Sequence, residues 1–225
     1  FSSGRACAVV DCGGRFTAED PGDLAARKLL AQGQRSLDLL VLTHPHDDHV
    51  NGVLRLMHWL PVRTLVIPAA ADTTQAPLSD ILALAEANHT AVVRVDAEQT
   101  VTAGGISVHL YPEPCAGQED GSMIVLTSIG DYDTLVPGDV DMTAEVKFLS
   151  SCTYPSIELL LVGHHGSKRS TSDAWLDAIV PDAAIISVGY NTYGHPTSET
   201  LERLQAHNIP IYRTDQMGDI TVHLS

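Results

Sequence analysis

Short apolar runs that stop at polar loops alternate with stretches of helical spacing along the first hundred residues. Ala6–Val10 is one such run, closed by Asp11-Cys12-Gly13-Gly14, and residues 37–43 form another, closed by His44-Pro45-His46. Both predict buried strands that end in loops. Residues 22–32 carry apolar side chains at helical spacing with Gly33 placed to cap the end, and residues 50–60 follow the histidine-rich turn in the same way. A strand over 64–67, a helix over 78–88, a strand over Ala91–Val95 and a half-buried strand over Ile106–Tyr111 continue the series. The rhythm then changes. Strands over 123–129 and 134–136 flank Gly130-Asp131-Tyr132-Asp133, a hairpin signal. Residues 159–162 form a strand that stops at Gly163-His164-His165-Gly166; a helix starting at Ser170, spaced as a capping box to Asp173, is followed by strand 183–188, helix 198–207 and strand 209–213. Helices between strands, together with a hairpin, predict an α/β fold with layers around two sheets.

At 225 residues the chain is expected to form one domain, 1–225. It begins at Phe1 and runs at once into a strand pattern, which reads as a piece excised from a longer chain. Thirteen Lys and Arg stand against 28 Asp and Glu, a formal charge of −15, which argues against broad nonspecific attraction to nucleic acid or anionic lipid. A polyanionic substrate would need local positive help, and divalent metal ions supply it. Cys7, Cys12, Cys115 and Cys152 form neither a CxxC pair nor a dense framework, so the redox compartment stays open. No run approaches the roughly 18 apolar residues of a spanning helix.

The chemistry concentrates in Thr43-His44-Pro45-His46-Asp47-Asp48-His49, where three imidazoles and two carboxylates crowd one strand-to-helix turn. Imidazole nitrogen and carboxylate oxygen are the ligand set of zinc, manganese or iron. Other strands end in residues of the same type: Asp11 after Val10, Asp139 after Pro137-Gly138, and His164-His165 after Val162. Ligands from several strand ends converge on one sheet edge. Asp139 alone could be a plain turn aspartate. Asp11 is better suited to orienting a neighbouring loop than to direct ligation.

These residues resemble the metallo-β-lactamase superfamily, with His44-x-His46-x-Asp48-His49 as the metal motif, Asp139 as the bridging carboxylate and the His164-His165 pair as the late histidine. The resemblance spans essentially the whole chain and implies an αββα sandwich of two mixed sheets with helices on the outer faces. Within the superfamily, Val-Gly-His-His-Gly-Ser-Lys-Arg-Ser-Thr-Ser (162–172), Ile-Ile-Ser-Val-Gly (185–189) and Tyr193-Gly194-His195-Pro196 look like the carboxy-terminal domain of ComEC-type competence DNA-uptake proteins. That narrower likeness implies a nuclease acting on DNA, tethered to a membrane channel on the extracytoplasmic side, with no membrane contact by this segment and no evident protein partner. The family's opening Gly-Gln-Gly-Asp type strand is absent. So is the usual third histidine of the first metal: Glu119-Asp120-Gly121-Ser122 stands in its place, Asp120 is the best substitute, and oxygen-rich ligation there would favour manganese over zinc. His58, His89 and His109 read as surface or core residues.

The resemblance places two divalent metal ions, zinc or manganese. His44 and His46 would hold one, Asp48, His49 and His165 the other, and Asp139 would bridge them. Asp48, His164 and His195 are the catalytic candidates, the two histidines contacting phosphate or protonating the leaving oxygen. Ser167 and Lys168, with Arg169, could grip a phosphate, although a solvated helix entry is an equal reading. Tyr190 and Tyr193 read as loop aromatics that could also stack on a base. Competing with the nuclease are hydrolysis of a small ester or phosphocholine-type diester, which suits the acidic surface, and a catalytically impaired binding domain, which suits the missing histidine.

Overall fold

A computed structural model describes residues 1–14, 19–112 and 122–224. The first half builds one sheet from β1 (Ser2–Ser3), β2 (Ala6–Val10), β3 (Leu37–Val41), β4 (Val62–Pro68) and β5 (Ala91–Val95), ordered as numbered, with β2 to β5 parallel and β1 antiparallel at the edge. The second sheet contains β6 (Gln99–Ala103), β7 (Ile106–Tyr111), β8 (Ile124–Ile129), β9 (Tyr132–Val136), β10 (Leu159–Leu161), β11 (Ala183–Ile186) and β12 (Ile211–Arg213). It runs β12-β11-β10-β9-β8-β7-β6, parallel from β9 to β12 and antiparallel from β9 to β6. Both sheets are therefore mixed.

Alternation along the strands sorts apolar side chains into three layers. Val41 and Val66 of the first sheet meet Val108, Val125 and Val136 of the second in the middle layer. Their strand neighbours Leu40, Leu65 and Ile67 face outward under α1 (Pro21–Ala31), α2 (Asp47–Val50), α3 (Val53–Trp59) and α4 (Leu78–Ala87). On the other outer face Ile124, Leu126, Leu135 and Leu160 pack beneath Phe148 of α5 (Met142–Ser151), Trp175 of α6 (Asp173–Ile179) and Leu204 of α7 (Ser198–Ala206). Helix, sheet, sheet, helix is the expected αββα sandwich.

Three local expectations change. The helix expected over 50–60 divides into α2 and α3 at Asn51-Gly52, because Gly52 lies against Gly22 of α1: a Cβ on Gly52 would stand 2.5 Å from the Gly22 nitrogen. The helix expected from Ser170 begins instead at Asp173 and is capped by Ser172, whose Oγ accepts from the Trp175 N–H; Ser170 Oγ is committed to the Val140 carbonyl. Strand β6, helix α5 and the short α8 (Thr214–Met217) add to the expected elements.

Candidate metal centre

Parallel strands deliver their carboxy ends to one edge, and here both sheets do so side by side. β2 leads to Asp11, β3 to Thr43 and His44, β9 to Asp139, β10 to His164 and His165, and β11 to Ser187. The loops are tied together: Asp11 N–H donates to Val41 O (2.8 Å), Cys12 N–H to His49 O (2.8 Å), Met123 N–H to Thr43 O (2.9 Å) and His164 N–H to Gly138 O (3.0 Å). Gly13 lies so close to α2 that a Cβ there would stand 2.4 Å from the Asp48 carbonyl oxygen, well inside van der Waals contact. Only glycine allows this approach.

Two groups of potential ligands result, His44 with His46 and Asp139, and Asp48 with His49 and His165, each with one ligand atom per residue all within 4.8 Å of one another. Asp139 spans the gap between them. Its Oδ2 stands 3.6 Å from His44 Nε2 and its Oδ1 3.2 Å from His49 Nε2. The second group closes with His165 Nε2 at 3.4 Å from Asp48 Oδ2. Despite these approaches, His44 Nε2, His49 Nε2, His165 Nε2 and Asp139 Oδ1 are buried without a hydrogen-bond partner. Four inward-facing polar atoms left unpaired would cost several kcal/mol in aggregate unless a cation completes them, so the donor set fits two divalent ions.

The opposite ring edges explain which nitrogen faces inward. Asp11, held at a left-handed φ of 55°, accepts from Thr43 N–H (2.7 Å), from Thr43 Oγ1–H (2.7 Å) and from His49 Nδ1 (2.8 Å). The Thr43 hydroxyl donates its one hydrogen bond to Asp11, so at 3.0 Å it accepts from His44 Nδ1. His165 Nδ1 donates to the Ser187 carbonyl at 2.8 Å. All three rings thus carry hydrogen on Nδ1 and turn Nε2 toward the centre, the tautomer that ligates. Asp11 bonds the Thr43 backbone N–H, as expected of a residue that orients a neighbouring loop, and it also contacts His49 directly and His44 through Thr43, which the sequence reading did not include. Replacing it, Asp11→Ala, is expected to weaken metal affinity about 10–100-fold, read by competition with a chelating dye, while a change below twofold would remove it from this role.

Electrostatics follow the same plan. Burial opposes a charge on His49, yet its hydrogen bond to Asp11 and the close carboxylates of Asp11 and Asp139 outweigh burial and push its pKa up to about 10. Asp48 is lowered to about 2, chiefly by its contact with His165, against its own burial. Asp139 is held far below the carboxylate range, its burial overcome by His44 and His49. Below pH 10 an ion entering the site must displace the His49 proton, so apparent metal affinity is expected to fall about tenfold for each pH unit lowered from 9 to 6. Isothermal titration in two buffers of different ionisation enthalpy counts that proton; affinity that does not vary with pH would contradict it.

His164 and His165 both occupy the left-handed region, at φ 49° and 53°, a conformation worth about 1–3 kcal/mol per non-glycine residue. It lets adjacent imidazoles face different ways. His165 enters the second ligand group, while His164 stands at the rim with Nε2 3.6 Å from Asp139 Oδ2 and its ring 5.7 Å from that of His195. Burial lowers the pKa of both His164 and His195, and neighbouring imidazoles add to the effect. A cleft of about 300 Å³ opens here, lined by Asp11, Asp48, His49, Asp139, His164, His165 and others. Ser167 is buried with its Oγ accepting from Arg169 N–H, and Lys168 is exposed; neither lines this cleft. Asp120, Glu119 and Cys115 lie outside the described residues.

Several supporting residues carry no signal along the chain. Thr43 and Ser187 act through one oxygen each. The loop after the histidine pair is braced from two helices: buried Glu145 of α5 accepts from the N–H groups of Thr171 and Ser172 (2.9 Å for Ser172), and Arg203 of α7 donates to the carbonyls of Thr171 and Ser170, each at 2.8 Å. A glutamate at 1% exposure in an amphipathic helix is legible only once the fold shows which face is buried.

The two-sheet sandwich with candidate ligand clusters at its strand ends is that of a metal-dependent hydrolase, and residues 2–190 match the metallo-β-lactamase superfamily model; the chain belongs to that superfamily. It is similar to ComE operon protein 3 of Bacillus subtilis, 32% identical over 85% of this chain and 25% of that protein, and to competence protein ComA of Neisseria gonorrhoeae, 30% identical over 93% of this chain and 29% of that protein. The chain therefore spans between a quarter and a third of these relatives. Among solved structures it matches the diiron β-hydroxylase CmlA from Streptomyces venezuelae (TM-score 0.55, 18% identity, 80% of this chain, 44% of that one) and metallo-β-lactamase SMB-1 (TM-score 0.51, 17% identity, 74% and 73%). These likenesses show the fold. Among the described residues no helix is long and apolar enough to cross a membrane.

Proposed function

We propose that the chain is a two-metal phosphodiesterase that cleaves DNA, acting within a longer competence protein tethered to a membrane channel on its extracytoplasmic side. The observation that carries this reading is the rim pair His164 and His195, two imidazoles of lowered pKa set beside ligand clusters that share Asp139. His44, His46 and Asp139 would hold one ion and Asp48, His49 and His165 the other, zinc or manganese. When bound, such a pair lowers the pKa of water towards neutrality and offsets phosphate charge.

The remaining work falls to this chain's own groups. Asp139 fixes the spacing of the two clusters, Asp11 and Thr43 hold the ligand tautomers, and Ser187 anchors His165. His164 and His195, largely neutral near pH 7, each donate an N–H hydrogen bond to a phosphate oxygen, and because their lowered pKa leaves little imidazolium the leaving oxygen takes its proton from water. Lys168 adds a long-range positive charge rather than a direct grip, given its position away from the cleft.

Purified chain with manganese or zinc is expected to cleave single-stranded DNA, to stop with chelator, and to lose at least a hundredfold in rate as the Asp48→Ala, His49→Ala double variant. The net charge of −15 favours a second reading, a small ester or phosphocholine-type diester. Turnover of a small chromogenic diester with intact DNA would decide for it.

A further inference from the structure

We propose that Tyr193 is a stacking platform for an unpaired base next to the phosphodiester held at the metal centre, which makes single-stranded nucleic acid the substrate class; this rests on the phosphodiesterase reading above. A row of groups leads from the centre to solvent: Asp139, then His164, then His195 at 5.7 Å, then Tyr193, whose ring lies near-parallel to His195 (27°) with centroids 6.2 Å apart. At its outer end Tyr193 is 81% exposed, and Tyr190 on the same loop is 79% exposed.

The loop is not slack. Asn191 Oδ1 accepts from the N–H groups of Tyr193 (3.1 Å) and His195 (3.0 Å), and its Nδ2 donates to the carbonyls of Gly189 (3.0 Å) and His195 (2.7 Å). Its first residue, Ser187, holds His165, so the same segment positions a metal ligand and presents the aromatic face. His195 Nδ1 is buried with no hydrogen-bond partner behind that face.

Charge decides what kind of strand fits. Duplex recognition through the backbone needs many cation contacts to phosphate, and 13 Lys and Arg against 28 acids leave no surplus to supply them. Stacking provides attraction without cations, but only to a base released from its own stack.

The test measures binding of the manganese-loaded chain to a phosphorothioate-linked hexanucleotide, with either a base or an abasic sugar at each position in turn. Wild type is expected to bind the base-bearing strand about tenfold more tightly than the strand abasic at one position, Tyr193→Ala to lose most of that preference, and Tyr193→Phe to keep it. Equal affinity of wild type for both strands, or a preference that survives Tyr193→Ala, overturns the proposal. Cleavage of the natural-linkage strand is scored separately. Cleavage without base preference sinks the platform and leaves the phosphodiesterase, whereas preference without cleavage sinks the phosphodiesterase and leaves a nucleic-acid site.

Discussion

Saturating zinc or manganese is expected to raise the melting temperature of the metal-free chain by roughly 8–16 °C. An ion present at about a thousand times its Kd stabilises the native state by about 4 kcal/mol, and in a chain of this size each kcal/mol corresponds to about 2–4 °C. The source is specific: four buried polar atoms gain the partner they lack. Two variants separate the clusters. Asp48→Ala with His49→Ala removes two members of one group and leaves His44, His46 and Asp139, so part of the shift should remain. Asp139→Ala removes the carboxylate that faces both groups and should erase most of it. Calorimetric scans with and without metal check this. No shift with any divalent ion would refute a metal centre, and an Asp139→Ala shift equal to wild type would refute the shared carboxylate.

Glu145→Ala is expected to destabilise the chain by about 2–5 kcal/mol and to loosen the histidine pair. The carboxylate is fully buried and receives two backbone N–H groups; truncation leaves both buried without acceptors, at about 1–3 kcal/mol each. Burial pushes its pKa up, against the bonds from Ser172 and Thr171 and the charge of Arg203. A raised carboxyl pKa in the folded state means that its contribution is full below about pH 4.5 and declines as pH rises through the folded value. The cost of the substitution should accordingly be greater in acid than at neutral pH. Urea unfolding at both values checks sign and size, and a loss below 0.5 kcal/mol would show that the loop finds other acceptors.

Legibility along the chain followed the range of the interaction involved. The apolar runs ending in ligand-type residues were readable because a buried strand must be apolar whatever surrounds it and because histidine crowding has no packing explanation. Asp11 reads by type and position as a loop-orienting residue, and its bond from the Thr43 N–H fits that reading, whereas its contact with His49 depends on strands brought together by the fold. The start of α6 is not legible locally because Ser170 and Ser172 are equally good caps; only the Val140 carbonyl, 30 residues away in sequence, takes Ser170 out of contention. The break between α2 and α3 depended in the same way on Gly22.

By itself the sequence determined, through strand alternation and helix spacing, an α/β fold layered around two sheets and the set of imidazoles and carboxylates placed at strand ends, while the αββα order came from the family resemblance. Only the tertiary structure decided how these partition: that Asp139 faces two groups, that His165 turns inward while His164 remains at the rim, that the Thr43 hydroxyl relays the Asp11 bond to His44, and that Glu145 and Arg203 brace the loop. The physical reason is reach. Patterning reports whether a residue meets apolar or polar surroundings, which neighbours along the chain largely fix, whereas a ligand's partner is set to within an ångström by strands brought together from distant parts of the sequence.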